Sequence, residues 1–188
     1  MTRLDWILKV GDKKYWMDSP VENFMLLLNA AMATYPNNYV AVKDTSNTAR
    51  TVGAHWTAVN TNWVPAQPAA ANDNYGILCG SGDTAVDILN YAMGTKIANG
   101  SGAGQLSYSI QTTAYGGATP NKYAKIMRTF TNNTANPVTV KEVGLVVNPA
   151  TSAGVRYYVL ITRDVLPAPV AVAAGDTMPV EIYIQTTC

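Results

Sequence analysis

The sequence predicts a mainly β chain: an antiparallel β-sandwich, jelly-roll or immunoglobulin-like, with one N-terminal amphipathic α-helix. Three observations predict it. From Tyr75 onward, apolar and polar residues alternate in short runs separated by Gly, Asn and Pro. One capped apolar stripe at three- and four-residue spacing lies near the N-terminus. No helical period follows residue 94. The chain divides at the Pro- and Ala-rich stretch before Tyr75. Residues 1–74 read as an N-terminal arm, the helix, short strands and a linker, and 75–188 as the β-sandwich domain.

The helix is written first. Ser19 suits the N-cap, Pro20 the first helical position, and Glu22 completes a capping box with Ser19. Val21, Phe24, Met25, Leu28, Ala31, Met32 and Tyr35 then form one apolar face, and Pro36-Asn37-Asn38 stops it. The face has two readings: it packs on the protein's own sheet, or it docks into a neighbouring subunit. Tyr39 to Lys43 and Arg50 to Ala54 follow as strands, with Asp44-Thr45-Ser46-Asn47 as the turn between them. Residues 1–18 and 55–74 read as arms or linkers that reach over neighbours.

The β region begins with Tyr75 to Cys79. Leu106, Tyr108 and Ile110 alternate with Ser107 and Ser109. The runs Tyr123 to Thr131 and Val138 to Val147 flank an Asn-rich turn, so they are expected to pair as a hairpin. Val155, Tyr157, Val159 and Ile161 mark another strand, and Pro169 to Ala173 a short one. Gly175-Asp176 turns the chain into the alternating run Met178, Val180, Ile182 and Ile184.

Charge sets the class. Asp, Glu, Lys and Arg make up 13% of the chain, about half the usual share, while the hydrophobic fraction of 48% is ordinary. Soluble monomers use charge to stay dispersed and to protect sheet edges. A chain without it is expected to bury its surface against copies of itself or a partner. The net charge of +1, with scattered basic residues, leaves no electrostatic footprint for nucleic acid. No apolar run approaches the roughly 20 residues of a membrane span, and Asp5, Lys9 and Asp12 interrupt the N-terminal apolar run where a secretory signal would lie.

Catalytic parts are scarce. His55 is the single histidine and sits beside Trp56. Cys79 lies in an apolar run and reads as a buried free thiol, and Cys188 ends the chain. Asp73, Asp83 and Asp87 sit in turn-like sequence and match no calcium loop. Gly80-Ser81-Gly82 and Gly100 to Gly104 match no phosphate loop and read as flexible turns. No enzyme, cofactor or metal site is expected. Eleven Tyr and four Trp against two Phe favour interfaces or sugar-binding surfaces. Phe24, Leu28, Met32, Trp56, Trp63 and Tyr115 are the candidate interface residues.

Three stretches carry a resemblance. They are Asn23–Met32 with Val42–Val52, then Tyr75–Val86 with Asn90-Tyr91 and Gly102–Tyr108, and finally Arg128–Asn133, Val140–Leu145 and Ile161–Thr177. Through them the chain resembles virion structural proteins of tailed bacteriophages. The resemblance implies a structural role in a particle and brings no catalytic residues. It implies assembly in the host cytoplasm into a virion. Neutrality, size and β content suit a capsid decoration or minor capsid protein. Such proteins clamp neighbouring shell subunits, often as trimers, so the implied partners are copies of the chain and the major capsid protein. Tail tube, baseplate or fibre is the rival location. A glycan-binding adhesion module is the alternative of another class, marked by aromatics clustered at one end of the fold.

Overall fold

The computed structural model describes residues 3–17, 20–32, 39–53, 65–119 and 121–187. Among them are one helix and eleven strands, and every strand pairing is antiparallel. The larger sheet has six strands. β1 (Arg3–Val10) lies between β2 (Lys13–Trp16) and β11 (Thr177–Thr187), and β8 (Asn121–Thr131) follows β11. The far side of β8 is shared by β6 (Ser107–Tyr108) and β7 (Thr112–Gly116). The smaller sheet runs β10 (Val159–Val172), β9 (Val138–Val147), β5 (Gly76–Gly80). A separate hairpin pairs β3 (Tyr39–Lys43) with β4 (Ala49–Gly53).

Alternation places one face of the large sheet inward. Leu8, Ile182 and Ile126 form one cross-strand row, and Met178, Phe130 and Tyr108 another. The small sheet contributes Ile77, Val143, Leu145 and Leu160 to the same buried cluster. β9 is the central strand of its sheet, and residues 142–147 are buried or nearly so on both faces. Burying such aliphatic side chains contributes about 1.5–3 kcal/mol each.

The N-terminal segment is no arm. β1 pairs with β11 over eight residues, from Arg3↔Thr187 to Val10↔Val180, so residues 3–16 belong to the large sheet. The boundary expected at residue 74 therefore cuts through one shared core. Residues 65–74 are equally well anchored. Arg128 donates to the carbonyls of Ala69, Asn72 and Tyr75, and Gln111 donates to that of Ala66.

The expected pairing of β8 with β9 does not form. Both strands have nearly the expected extents, but β8 pairs with β11, and β9 with β10 and β5. The six residues between them make a corner from one sheet to the other. Asn132 builds that corner. Its side-chain amide donates to the carbonyls of Asn136 and Val172, and its side-chain oxygen accepts the Thr134 amide and hydroxyl. Its backbone pairs with Gly175 and Asp176 before β11.

Three smaller expectations are also corrected. Ile110 is exposed, and Gln111 is buried in its place, accepting the Ile77 amide. The strand expected from Val155 begins at Val159, and it continues through the Pro169 segment as one edge strand with two register shifts. Prolines are tolerated there because an edge strand has no second ladder to lose. The β3–β4 hairpin forms with the expected turn, held by Asp44, whose carboxylate accepts the Ser46 and Thr48 amides and Arg50 Nε.

Helix α1 (Glu22–Met32) packs on β3, β4 and β10. Ser19, Tyr35 and Pro36 lie outside the described residues. Its buried residues are Asn23, Leu27 and Ala30, a face rotated from the one the apolar spacing predicts. Asn23 decides the rotation. Its side chain exchanges two hydrogen bonds with the backbone of Lys43 and donates a third to the Leu160 carbonyl. One polar residue with three satisfied bonds thus seats the helix, and Met25, Leu28 and Met32 turn outward.

Candidate assembly surface

A largely apolar groove between the two sheets is the candidate site. It encloses about 350 Å³. Trp6, Ala124 and Ile184 line it from the large sheet, Val147 and Ile161 from the small one, and Phe24 from the helix. Trp6 and Phe24 meet edge to face, with ring centroids 4.9 Å apart and planes at 84°. The pair fixes the helix against β1 at the groove's rim.

Register extends this surface to β7. Trp6 opposes Ile184, Ile184 opposes Ala124, and Ala124 opposes Tyr115. Directly opposed residues share a face of a sheet, so Tyr115 stands on the groove's face at its outer lip. Its side chain is 76% exposed. On the helix, Leu28 and Met32 follow Phe24 at intervals of four. This ridge leaves the rim for solvent, with Leu28 40% and Met32 72% exposed. Ile88 and Leu89 are exposed beside the helix N-terminus, where the Glu22 amide donates to the Ile88 carbonyl.

Of the six expected interface residues, Phe24 lines the groove, Tyr115 shares its sheet face through the register with Ala124, and Leu28 and Met32 lie on the ridge leading from it. Trp56 and Trp63 lie outside the described residues, as do His55 and Cys188.

Two buried charged clusters lie away from the groove lining, and neither is evident from local motifs. Glu142 and Arg163 pair at 2.6 Å in the small sheet. The same Glu142 carboxylate accepts the amides of Gly82, Gly94 and Thr95, and Arg163 also reaches Asn90 and the Thr84 carbonyl. A Cβ at Gly80 or Gly82 would overlap the Glu142 carboxyl group. These glycines therefore serve close approach rather than flexibility.

Arg128 projects into the core from β8. It donates to the carbonyls of Ser109, Ile77 and Asn72, among others, and lies 4.7 Å from the Tyr108 ring centroid. Burial lowers its guanidinium from the usual value. The available signal was its place: it alternates in register with Ile126 and Phe130.

The carboxylates have structural partners. Asp73 accepts the Asn99 amide and pairs with Lys96, Asp83 pairs with Lys141, and Asp87 accepts the Leu89 amide. Among the described residues no group of three His, Cys, Asp or Glu is placed to hold a metal. Cys79 is a free, fully buried thiol, and burial pushes its pKa well above the usual value, which suppresses the reactive thiolate.

No protein-family model, curated protein or solved structure matches the chain.

Proposed function

We propose that this chain is a non-enzymatic structural subunit of a tailed-bacteriophage particle: a capsid decoration or minor capsid protein that stabilises the shell through subunit contacts. The observation that carries the reading is the outward apolar ridge of α1, where Met25, Leu28 and Met32 face solvent while Asn23 faces the core. Exposed apolar residues contiguous with an apolar groove favour association. The low charge of the chain points the same way.

The fold proposed for this role is a jelly-roll sandwich. β9 and β10 pair in one sheet, and the strands flanking them, β8 and β11, pair in the other. This nesting is how a folded antiparallel ribbon distributes over two sheets, which supports the jelly-roll over the immunoglobulin-like alternative. The adhesion reading is less well supported. Trp16 stands on the β2 edge and Tyr115 on the β7 edge, at opposite sides of the large sheet.

The test has two parts. Antibodies to the purified chain should label density-gradient-purified phage particles, at the head surface. The mass of the chain mixed with empty capsids should show saturable binding. Labelling confined to the tail moves the protein to tube, baseplate or fibre. No labelling and no capsid binding sinks the particle reading.

A further inference from the structure

We infer that β7 is the edge through which two copies of this chain join, pairing antiparallel so that their large sheets become one. The inference rests on the assembly reading and names the partner as a second copy. Proteins block exposed edges with lysine, proline, bulges or covering segments. β2 carries exposed Lys13 and Lys14. β10 carries exposed Pro167 and Pro169 and a register shift. The outer edge of β5 is covered by residues 95–97, through the Gly80↔Lys96 bridge and the Ile97 amide on the Cys79 carbonyl.

Among the described residues β7 itself has none of these; the segment 65–69 meets only its start, where the Gln111 amide donates to the Pro68 carbonyl. The strand reads Thr-Thr-Ala-Tyr-Gly, without charge or proline, and Thr112 to Tyr115 are all exposed. It pairs β8 on one side in unbroken register. Such an edge is a template for another strand.

The strand is also complementary to itself. A two-fold axis at Ala114 opposes Ala114 to its own copy, Thr113 to Tyr115 and Thr112 to Gly116. Thr113 and Tyr115 share the groove's face, so each Tyr115 packs on the β-branched Thr113 of the second copy, a favourable cross-strand pair. The other face brings only Thr, Ala and Gly together, with no opposed charges. The contact is isologous and closes at a dimer. It also continues the row Trp6–Ile184–Ala124–Tyr115 across the junction, covering the exposed Tyr115 at the end of that row.

The experiment uses the full chain and charge reversal at the axis. Ala114 opposes Lys125 of β8, so Ala114→Glu gains a partner within its own sheet and keeps the fold. In the dimer the two glutamates face each other. Ala114→Glu and Ala114→Lys, each alone, should weaken dimerisation by about tenfold or more in a light-scattering concentration series. An equimolar mixture should recover the dimer. Circular dichroism and thermal unfolding check that both variants fold; if Ala114→Lys does not, Thr112→Glu, exposed on the same face, takes its place as a single-variant test. A wild-type dimer that both charges leave unchanged overturns the β7 pairing. The assembly reading survives that result if Met32→Glu dissociates the dimer or capsid binding persists. A wild-type chain that stays monomeric across the series also overturns the pairing, while capsid binding decides the assembly reading separately.

Discussion

The Glu142 carboxylate and the Arg163 guanidinium meet at 2.6 Å with both side chains closed to solvent, and together they hold down the loop between β5 and β6. Removing one partner strands the other charge in the core. Glu142→Gln or Arg163→Met should each cost about 3–5 kcal/mol in urea unfolding. The pair is more than a pair, because Glu142 also satisfies three amides of that loop. The double variant Glu142→Leu/Arg163→Met should therefore stay destabilised, with faster hydrogen exchange at Gly82, Gly94 and Thr95. A double variant as stable as wild type would remove the loop-anchoring role.

Arg128 has a different environment. Carbonyls and the Tyr108 ring surround it, and its planar fork reaches backbone on both sides of Asp73. Lysine keeps the charge but not the fork. Arg128→Lys should cost on the order of 3 kcal/mol, because several buried carbonyls lose their donor. The loss should be local first. Limited proteolysis should open the chain within residues 65–76 before the sheets unfold. Cleavage no faster than in wild type would deny Arg128 this clamping role.

The β3–β4 turn is sensitive to acid. Burial raises the Asp44 pKa, but hydrogen bonds from Arg50 and from the Thr48 and Ser46 amides outweigh it and hold the carboxyl below its usual value. A pKa depressed in the folded state means that the carboxylate's contribution to stability is complete above about pH 4 and is lost as pH falls through the folded value. Wild type should exceed Asp44→Asn in stability at neutral pH, and the gap should close on acidification. Equal stabilities at pH 7, or a gap that widens in acid, would contradict the sign.

Local features of this fold were legible from sequence, and non-local ones were not. The Asp44 turn and the alternation of Met178, Val180 and Ile182 depend on neighbours in the chain, and both were readable. The partner of β8 was not, because a six-residue Asn-rich connection serves a hairpin or a corner equally well. The choice falls to contacts of Asn132 with Val172 and Asp176, some forty residues away. The helix face stayed open between two readings for a similar reason. Apolar spacing marks Leu28 and Met32 without saying whether they meet the core or a neighbour, and the backbone bonds that seat Asn23 exist only once β3 and β10 are in place. At the groove, residue type singled out Phe24 and Tyr115, yet their common surface follows from the register across four strands.

The helix separates folding from association most cleanly. Leu27 is buried at 5% exposure, and its neighbour Leu28 stands at 40%. Leu27→Glu buries a charge with no partner and should prevent folding or cost several kcal/mol. Leu28→Glu and Met32→Glu lie on the outward ridge and should change monomer stability by no more than about 0.5 kcal/mol. Their effect should fall on assembly, because a charge on a desolvated contact weakens association without touching the free chain. Unfolding curves and capsid-binding or self-association isotherms on the same three variants make the comparison. If Met32→Glu unfolds the chain, the ridge belongs to the core. If it folds and assembles at the wild-type level, the ridge is not the contact, and the outward apolar face loses its functional meaning.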